Sequence, residues 1–217
     1  MTLEPDVWVR EFFGGHWPDV ARLADLLRAN AERRGLMGPR EMERLWDRHL
    51  VNCGVLANLL PASGLVVDVG SGAGLPGLVL AIMRPGLDFE LVDSMRRRAD
   101  WLTEAAALLG LPNTVVTLGR AEELESRAAA AVVSRAVAPL DKLADWTADL
   151  LAPGGRFLAL KGDTAPAELA RCRLALTRRG LSEAAVLTLA PPGAPRPTYV
   201  VRAVKTRGRG SGRRSQR

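Results

Sequence analysis

The sequence predicts an α/β fold in which a mostly parallel, seven-stranded sheet is wound by helices on both faces, behind an N-terminal helical segment. Three features carry this expectation. Short apolar runs alternate with segments of helical periodicity from residue 65 onward. The first apolar run, "LVVDVG", gives way to four glycines in eight residues, Gly70, Gly72, Gly74 and Gly77. The last two strand-like runs, "EAAVLTLA" and "TYVVRAV", are joined closely enough to form an antiparallel pair.

Residues 1–60 read as helices. "PDVARLADLLRANAERRG" sets Val20, Leu23, Ala24 and Leu27 at helical spacing, and Gly35 can end it. "PREMERLWDRHLVNCGVLANLL" opens with a proline suited to a first helical turn and puts Met42, Leu45, Trp46, His49 and Leu50 on one face. His49 in that setting reads as a hydrogen-bonded packing histidine. Pro61 to Gly64 form a turn. The first strand, "LVVDVG", is continuously apolar, as in a buried parallel strand. "LPGLVLAIMR" is a helix and "DFELVD" the second strand. "MRRRADWLTEAAALLG" is a helix closed by Gly110, and "TVVTLG" is the third strand. After a short helix comes "AAVVSR", the fourth. "PLDKLADWTADLL" is a helix ended by Pro153-Gly154-Gly155, "RFLALKG" the fifth strand, and residues 166–179 a helix. The α/β domain so outlined spans 61–205.

Composition bounds the function. The chain has 217 residues, 47% hydrophobic and 25% charged, as in ordinary soluble domains. No apolar run is long enough to span a bilayer and no signal-peptide pattern opens the chain, which predicts a cytoplasmic protein with no membrane partner. Cys53 and Cys172 have no metal-ligand spacing and read as two buried thiols, so no metal is expected. The net charge of +6 lies wholly at the C-terminus: from Lys205 onward stand six basic residues and no acid. Residues 206–217 read as a disordered basic tail and a candidate nucleic-acid contact. Arginines outnumber lysines 27 to 3, a composition bias without functional content.

A ligand of a doubly wound sheet sits beyond the carboxyl ends of the strands, where the strand order reverses. The glycine loop is there. A phosphate-binding Walker loop is excluded, because no Gly-Lys-Ser/Thr follows the glycines. A dinucleotide loop is a nearer rival: Gly72-Ala-Gly74-Leu-Pro-Gly77 satisfies G-x-G-x-x-G, and Asp93 lies about 20 residues on. Yet the strand meets the loop at Gly70, two residues out of that register. Asp68 also puts a carboxylate at the strand end, where a pyrophosphate site avoids negative charge. A cationic ligand fits better, and S-adenosylmethionine carries a sulfonium and an ammonium. Asp93, ending strand two, can accept both hydroxyls of a ribose or cap the next helix. Ala121 and Glu122 lie after strand three, where a backbone N–H and a carboxylate can serve an adenine edge.

The motifs "VVDVGSGAGLPGLVLAI", "ELVDSMRRRADWL", "GRAEEL", "VVSRAVAPL" and "FLALKG", in that order behind "LWDRHLVN", resemble the bacterial 16S rRNA guanine-N7 methyltransferases of the RsmG (GidB) family. The resemblance covers roughly residues 40–162 in motif and the whole chain in layout. It implies a Rossmann-like class I methyltransferase fold, S-adenosylmethionine as methyl donor, and a guanine at position 527 of 16S rRNA, naked or in the small ribosomal subunit, as target. Carried over by motif, Gly70 and Leu75 contact the donor together with the loop glycines Gly72 and Gly74. Asp93, Ser94 and Met95 surround the ribose, Ala121 and Glu122 hold the adenine, and Arg135 lines the site from the end of strand four. "RHLVNC" departs from the family pattern at Asn52 and Cys53. A monomer is expected.

Guanine N7 has a free lone pair and no proton to lose, so its methylation needs positioning more than a general base. The chain lacks the Pro-Cys nucleophile of cytosine-C5 enzymes and the Asn/Asp-Pro-Pro-aromatic run that accepts an exocyclic amine. Arg135 and Lys161 are the candidate substrate-positioning residues. Rival readings are a methyltransferase for another RNA site or a small molecule, a nicotinamide-dependent oxidoreductase, and a non-catalytic rRNA-binding assembly factor.

Overall fold

The computed structural model describes residues 5–135 and 137–206. The basic tail expected at 206–217 therefore lies, beyond its first residue, outside the described residues. Lys205 does not belong to it: this lysine ends a strand, and its Nζ reaches the Arg179 carbonyl at 3.0 Å and Asp149 Oδ1 at 3.3 Å.

Seven strands form one sheet: β1 (Leu65–Val69), β2 (Asp88–Asp93), β3 (Thr114–Leu118), β4 (Ala129–Arg135), β5 (Leu151–Lys161), β6 (Leu181–Leu189) and β7 (Thr198–Lys205). Their spatial order is β3-β2-β1-β4-β5-β7-β6. The first five run parallel, and β7 pairs antiparallel with both β5 and β6. The chain winds outward from β1 to β3 and returns to β4, so the order reverses between β1 and β4.

Strand residues alternate between two cores, as the two-residue period demands. Val66, Phe89, Leu91, Val133 and Leu158 face one core, and Val67, Val92, Val132, Phe157 and Ala159 the other. Helices α7 (Leu140–Thr147) and α8 (Ala165–Arg178) cover the second. The first is covered by α5 (Gly77–Met83), α6 (Arg96–Leu109) and the N-terminal helices, among them α1 (Val7–Phe13) and α2 (Trp17–Asn30). Val20, Leu23, Ala24 and Leu27 are buried along α2 as their spacing predicts. Gly110 closes α6 in the left-handed conformation.

Two elements differ from the sequence reading. The segment from Pro39 is not one amphipathic helix. It breaks into α3 (Pro39–Met42), a π-helical stretch (Leu45–Val51), α4 (Asn52–Gly54) and a 3₁₀ turn (Val55–Leu59). Burial extends around most of the segment: Leu45, Trp46, His49, Leu50, Val51, Cys53, Val55 and Leu56 are buried, a narrow polar strip at Arg44, Arg48 and Asn52 is left, and Phe12 and Phe13 lie against Gly54. Strand β5 begins at Leu151, so Pro153-Gly154-Gly155 lies inside it rather than after the helix. Leu151 pairs with Ala129, but Arg156 pairs with Ala131, and the intervening residues form a bulge. Of the two thiols expected to be buried, Cys53 is, and Cys172 is half-buried.

Candidate active site at the carboxyl ends of the strands

The glycine loop is tied to both strands beneath it. The N–H groups of Gly70 and Ser71 donate to the Val92 carbonyl at 2.9 and 3.0 Å. Asp93, buried at the end of β2, accepts the Gly72 N–H at 3.0 Å and the Met95 N–H at 2.9 Å, one on each carboxylate oxygen. Each oxygen keeps a second lone pair for another donor. Arg98 Nη1 stands 3.7 Å from Oδ2. From α6, Trp101 donates its indole N–H to the Ala73 carbonyl at 3.1 Å, and this side chain is fully buried. Loss of such an anchor costs about 3–5 kcal/mol.

A cavity of about 570 Å³ opens above this loop. Of the residues assigned to the donor from sequence, Gly70, Gly72, Leu75, Asp93, Ser94, Ala121, Glu122 and Arg135 line it together. Gly72 adopts φ +57°, and a Cβ built there would meet only the Gly70 carbonyl oxygen, at 3.8 Å, so it would project into open space.

Three assigned residues do not line this cavity. Gly74 packs on Leu78 and Leu102. Met95 is exposed and precedes α6 as its N-cap residue. Asp68 lies wholly buried beneath the loop, where its Oδ2 accepts the Gly77 N–H at 2.9 Å. Gly77 approaches so closely that a Cβ would sit 2.6 Å from that oxygen and 2.2 Å from Leu91. Burial pushes the Asp68 carboxyl up to about 7, against the Ser71 and Gly77 hydrogen bonds and the Arg135 charge. Asp68 thus anchors the loop to α5 and does not face a cationic ligand.

A second cavity, of about 620 Å³, adjoins on the other side of β4. Its walls come from the segment 41–52, the end of β5 and the stretch leading into β7, including Glu41, His49, Asn52, Lys161, Thr198 and Tyr199. Arg135 lines both cavities.

The Arg135 guanidinium is held by a histidine. Its Nη1 donates to His49 Nδ1, and Glu41 Oε2 lies 2.8 Å from His49 Nε2. A ring that accepts at Nδ1 carries its proton at Nε2, so the neutral tautomer is the one that fits. Burial, aided by the Arg135 charge and opposed by Glu41, lowers His49 to about 4. The hydrogen-bonded histidine read from sequence is therefore also the residue that orients Arg135.

Lys161 is placed on the cavity wall but is not a free cation. Its Nζ donates to the Ala138 carbonyl at 2.8 Å and to Glu168 Oε1 at 2.9 Å, and the same oxygen accepts the Leu140 N–H at 2.7 Å. It ties the β4–α7 connection to α8. Asn52, the departure in the helical motif, accepts a 2.6 Å hydrogen bond from Thr198 and so joins the helical segment to β7. Leu36, Val137 and Trp146 also line the first cavity. No sequence signal marks them, because each comes from a segment brought in only by tertiary packing.

The chain matches the family model GidB, rRNA small subunit methyltransferase G, over residues 17–192. It is 49% identical over 180 residues to ribosomal RNA small subunit methyltransferase G of Streptomyces avermitilis, covering 82% of this chain and 76% of that protein. The corresponding protein of Thermobifida fusca is 46% identical over 203 residues, covering 93% and 86%. Among solved structures, M. jannaschii TYW2 in complex with AdoMet superposes with a TM-score of 0.57 at 18% identity, covering 74% of this chain and 76% of that one. At that identity the likeness is one of fold, the Rossmann-like class I methyltransferase fold expected from the sequence.

Proposed function

The chain belongs to the GidB family of small-subunit rRNA methyltransferases, and from that premise we propose that it transfers a methyl group from S-adenosylmethionine to N7 of a guanine, position 527, in 16S rRNA. The observation that carries this reading is the position of Arg135, which lines both the cavity above the glycine loop and the cavity beside it. One cavity suits a methyl donor, the other a base, and the residue between them carries a fixed charge.

The first cavity fits the donor chemically. Gly72 leaves open space where any side chain would intrude, and the Asp93 carboxylate has lone pairs left for a vicinal diol. Asp93 and Ser94 then hold the ribose and Ala121 and Glu122 the adenine, while Gly70, Gly72 and Leu75 form the floor. When bound, S-adenosylmethionine supplies an electrophilic methyl group.

The chain's own residues need move no proton. Guanine N7 attacks with a lone pair, so a general base has nothing to remove. His49, lowered to about 4, with Nδ1 bound by Arg135 and Nε2 lying 2.8 Å from Glu41, and Asp68, buried under the loop, are not placed as bases. An arginine bidentate to O6 and N7 would block the nucleophile. With one Nη1 N–H committed to His49, Arg135 keeps its Nε and Nη2 donors, and N7 attack requires that they go to O6 alone, a phosphate or the donor carboxylate. Lys161 acts through the connection it anchors and is a positioning residue. The enzyme is taken to be a cytoplasmic monomer acting on naked 16S rRNA or the small subunit; among the described residues no helix is long and apolar enough to cross a membrane.

Two measurements test this function. Thermal shift with S-adenosylmethionine and with NAD separates a methyltransferase from an oxidoreductase, because only the true ligand raises the midpoint. Transfer of tritiated methyl to 16S rRNA, followed by nucleoside analysis, must yield 7-methylguanosine. Label in any other nucleoside defeats the N7 assignment.

A further inference from the structure

The second cavity has a basic rim that the transfer chemistry does not use. Arg44 is paired with Asp47 at 3.0 Å, Lys161 with Glu168, and Arg135 is bound to His49. Arg48 and Arg196 remain. Both are exposed, both line the cavity, and neither makes an ion pair among the described residues. They come from two different segments of the lining: Arg48 from the π-helical stretch, Arg196 from the loop between β6 and β7. The lining holds the carboxylates Glu41, Asp47 and Asp163 against the cations Arg44, Arg48, Arg135, Lys161 and Arg196, so it stays net positive.

Their mounting is stiff. Arg196 stands between Pro195 and Pro197, and prolines at both positions restrict its backbone and that of its neighbours. The 2.6 Å hydrogen bond from Thr198 to Asn52 ties the base of that loop to the helical segment four residues beyond Arg48. The loop rests further on α1, where Gly193 lies against Trp8. Two exposed arginines held in this way on the lining of one cavity suit what a base entering that cavity must bring with it, a phosphate on each side. Phosphate contacts of this kind set register and carry no base preference.

We propose that Arg48 and Arg196 form a phosphate clamp that grips the RNA backbone on either side of the target nucleotide. This rests on the reading of the second cavity as the base site. The test uses the full chain and a 16S rRNA transcript, with binding measured across a salt series. Each phosphate contact on single-stranded RNA contributes about 0.7 to the slope of log affinity against log salt. Arg48→Gln and Arg196→Gln should each make the slope shallower by about 0.7, and the double variant by about 1.4. Arg48→Lys and Arg196→Lys should retain it. Arg178→Gln, at the far end of α8, is the control for loss of any surface charge and should leave the slope unchanged. Donor affinity by calorimetry should match wild type in every variant, which shows the fold intact. Slopes parallel to wild type in both glutamine variants overturn the clamp, as does an equal drop in Arg178→Gln. If the wild-type protein methylates 16S rRNA and either result is found, the clamp alone falls. If the wild-type protein binds no RNA, the proposed function falls with it.

Discussion

Arg135, at the end of β4, donates from Nη1 to the Nδ1 of His49, 86 residues earlier in the chain and on a different element. The bond holds a cation at the meeting point of two cavities and requires His49 to stay neutral. The folded ring, lowered to about 4, lies below its ordinary value near 6.5. Above 6.5 neither state is protonated and His49 contributes its full stability. As pH falls from 6.5 through about 4 the unfolded chain takes up a proton first, and that stability is lost. Wild type should therefore lose stability relative to His49→Gln across that window, measured by denaturant unfolding at each pH. A constant gap between the two would mean His49 is not held neutral. In kcat/KM, a double-mutant cycle of His49→Gln with Arg135→Gln should show a coupling of about 0.5–3 kcal/mol; additive losses would mean the bond does not position Arg135.

Asp68 has the opposite pH dependence. Its folded carboxyl, raised to about 7 from 3.8, favours the protonated form, so its stability is present below about 3.8 and is lost as pH rises through 7. Asp68→Asn keeps an acceptor for the Gly77 N–H and removes the buried charge. The variant should gain on wild type at pH 8, by a few kcal/mol (on the order of 1–4), with little difference at pH 4. A variant less stable than wild type at pH 8 would show that the ionised carboxylate is needed under the loop.

Asp93 joins the glycine loop to α6 and faces the donor cavity. Asp93→Ala removes the acceptor for two backbone N–H groups and for the ribose, so donor affinity should fall by roughly 1.5–3 kcal/mol per charge-assisted bond lost. A 2′-deoxy donor analogue separates the roles. It should bind wild type more weakly than the donor itself, but the variant about equally. If the analogue loses as much affinity on the variant as on wild type, Asp93 is only a loop anchor.

Gly72→Val probes the cradle itself. The branched side chain would enter open space above the loop from a left-handed backbone position. Left-handed backbone costs a residue with a Cβ roughly 1–2 kcal/mol, which a folded domain can absorb. Donor binding by calorimetry should be abolished while the circular dichroism spectrum persists. Unchanged affinity would remove the loop from the site.

The strand-loop-strand core of the site was legible in the sequence because its signals are local. The apolar run to Val69, the glycines and the acid ending β2 all announce themselves within about 30 residues of one another. The antiparallel β6–β7 pair was legible for the same reason. What was not legible depends on contacts between distant segments. Asp68 looked like a ligand-facing acid, but Gly77 closes over it. Lys161 reads as a substrate-positioning cation, but Glu168, in the first turn of α8, meets it. The π-helical stretch that carries His49 reads as an ordinary helix, since no residue in it breaks the helical period and its irregularity depends on tertiary packing.

Methylation of a single guanine at N7 can be read out by nucleoside mass spectrometry of the 16S rRNA fragment containing position 527, from cells with and without this gene. One 7-methylguanosine is expected in the first and none in the second. It should return when wild type is supplied and fail to return with Arg135→Gln. A 7-methylguanosine at 527 that persists without the gene, or returns in full with Arg135→Gln, would contradict the assignment of this site to N7 transfer.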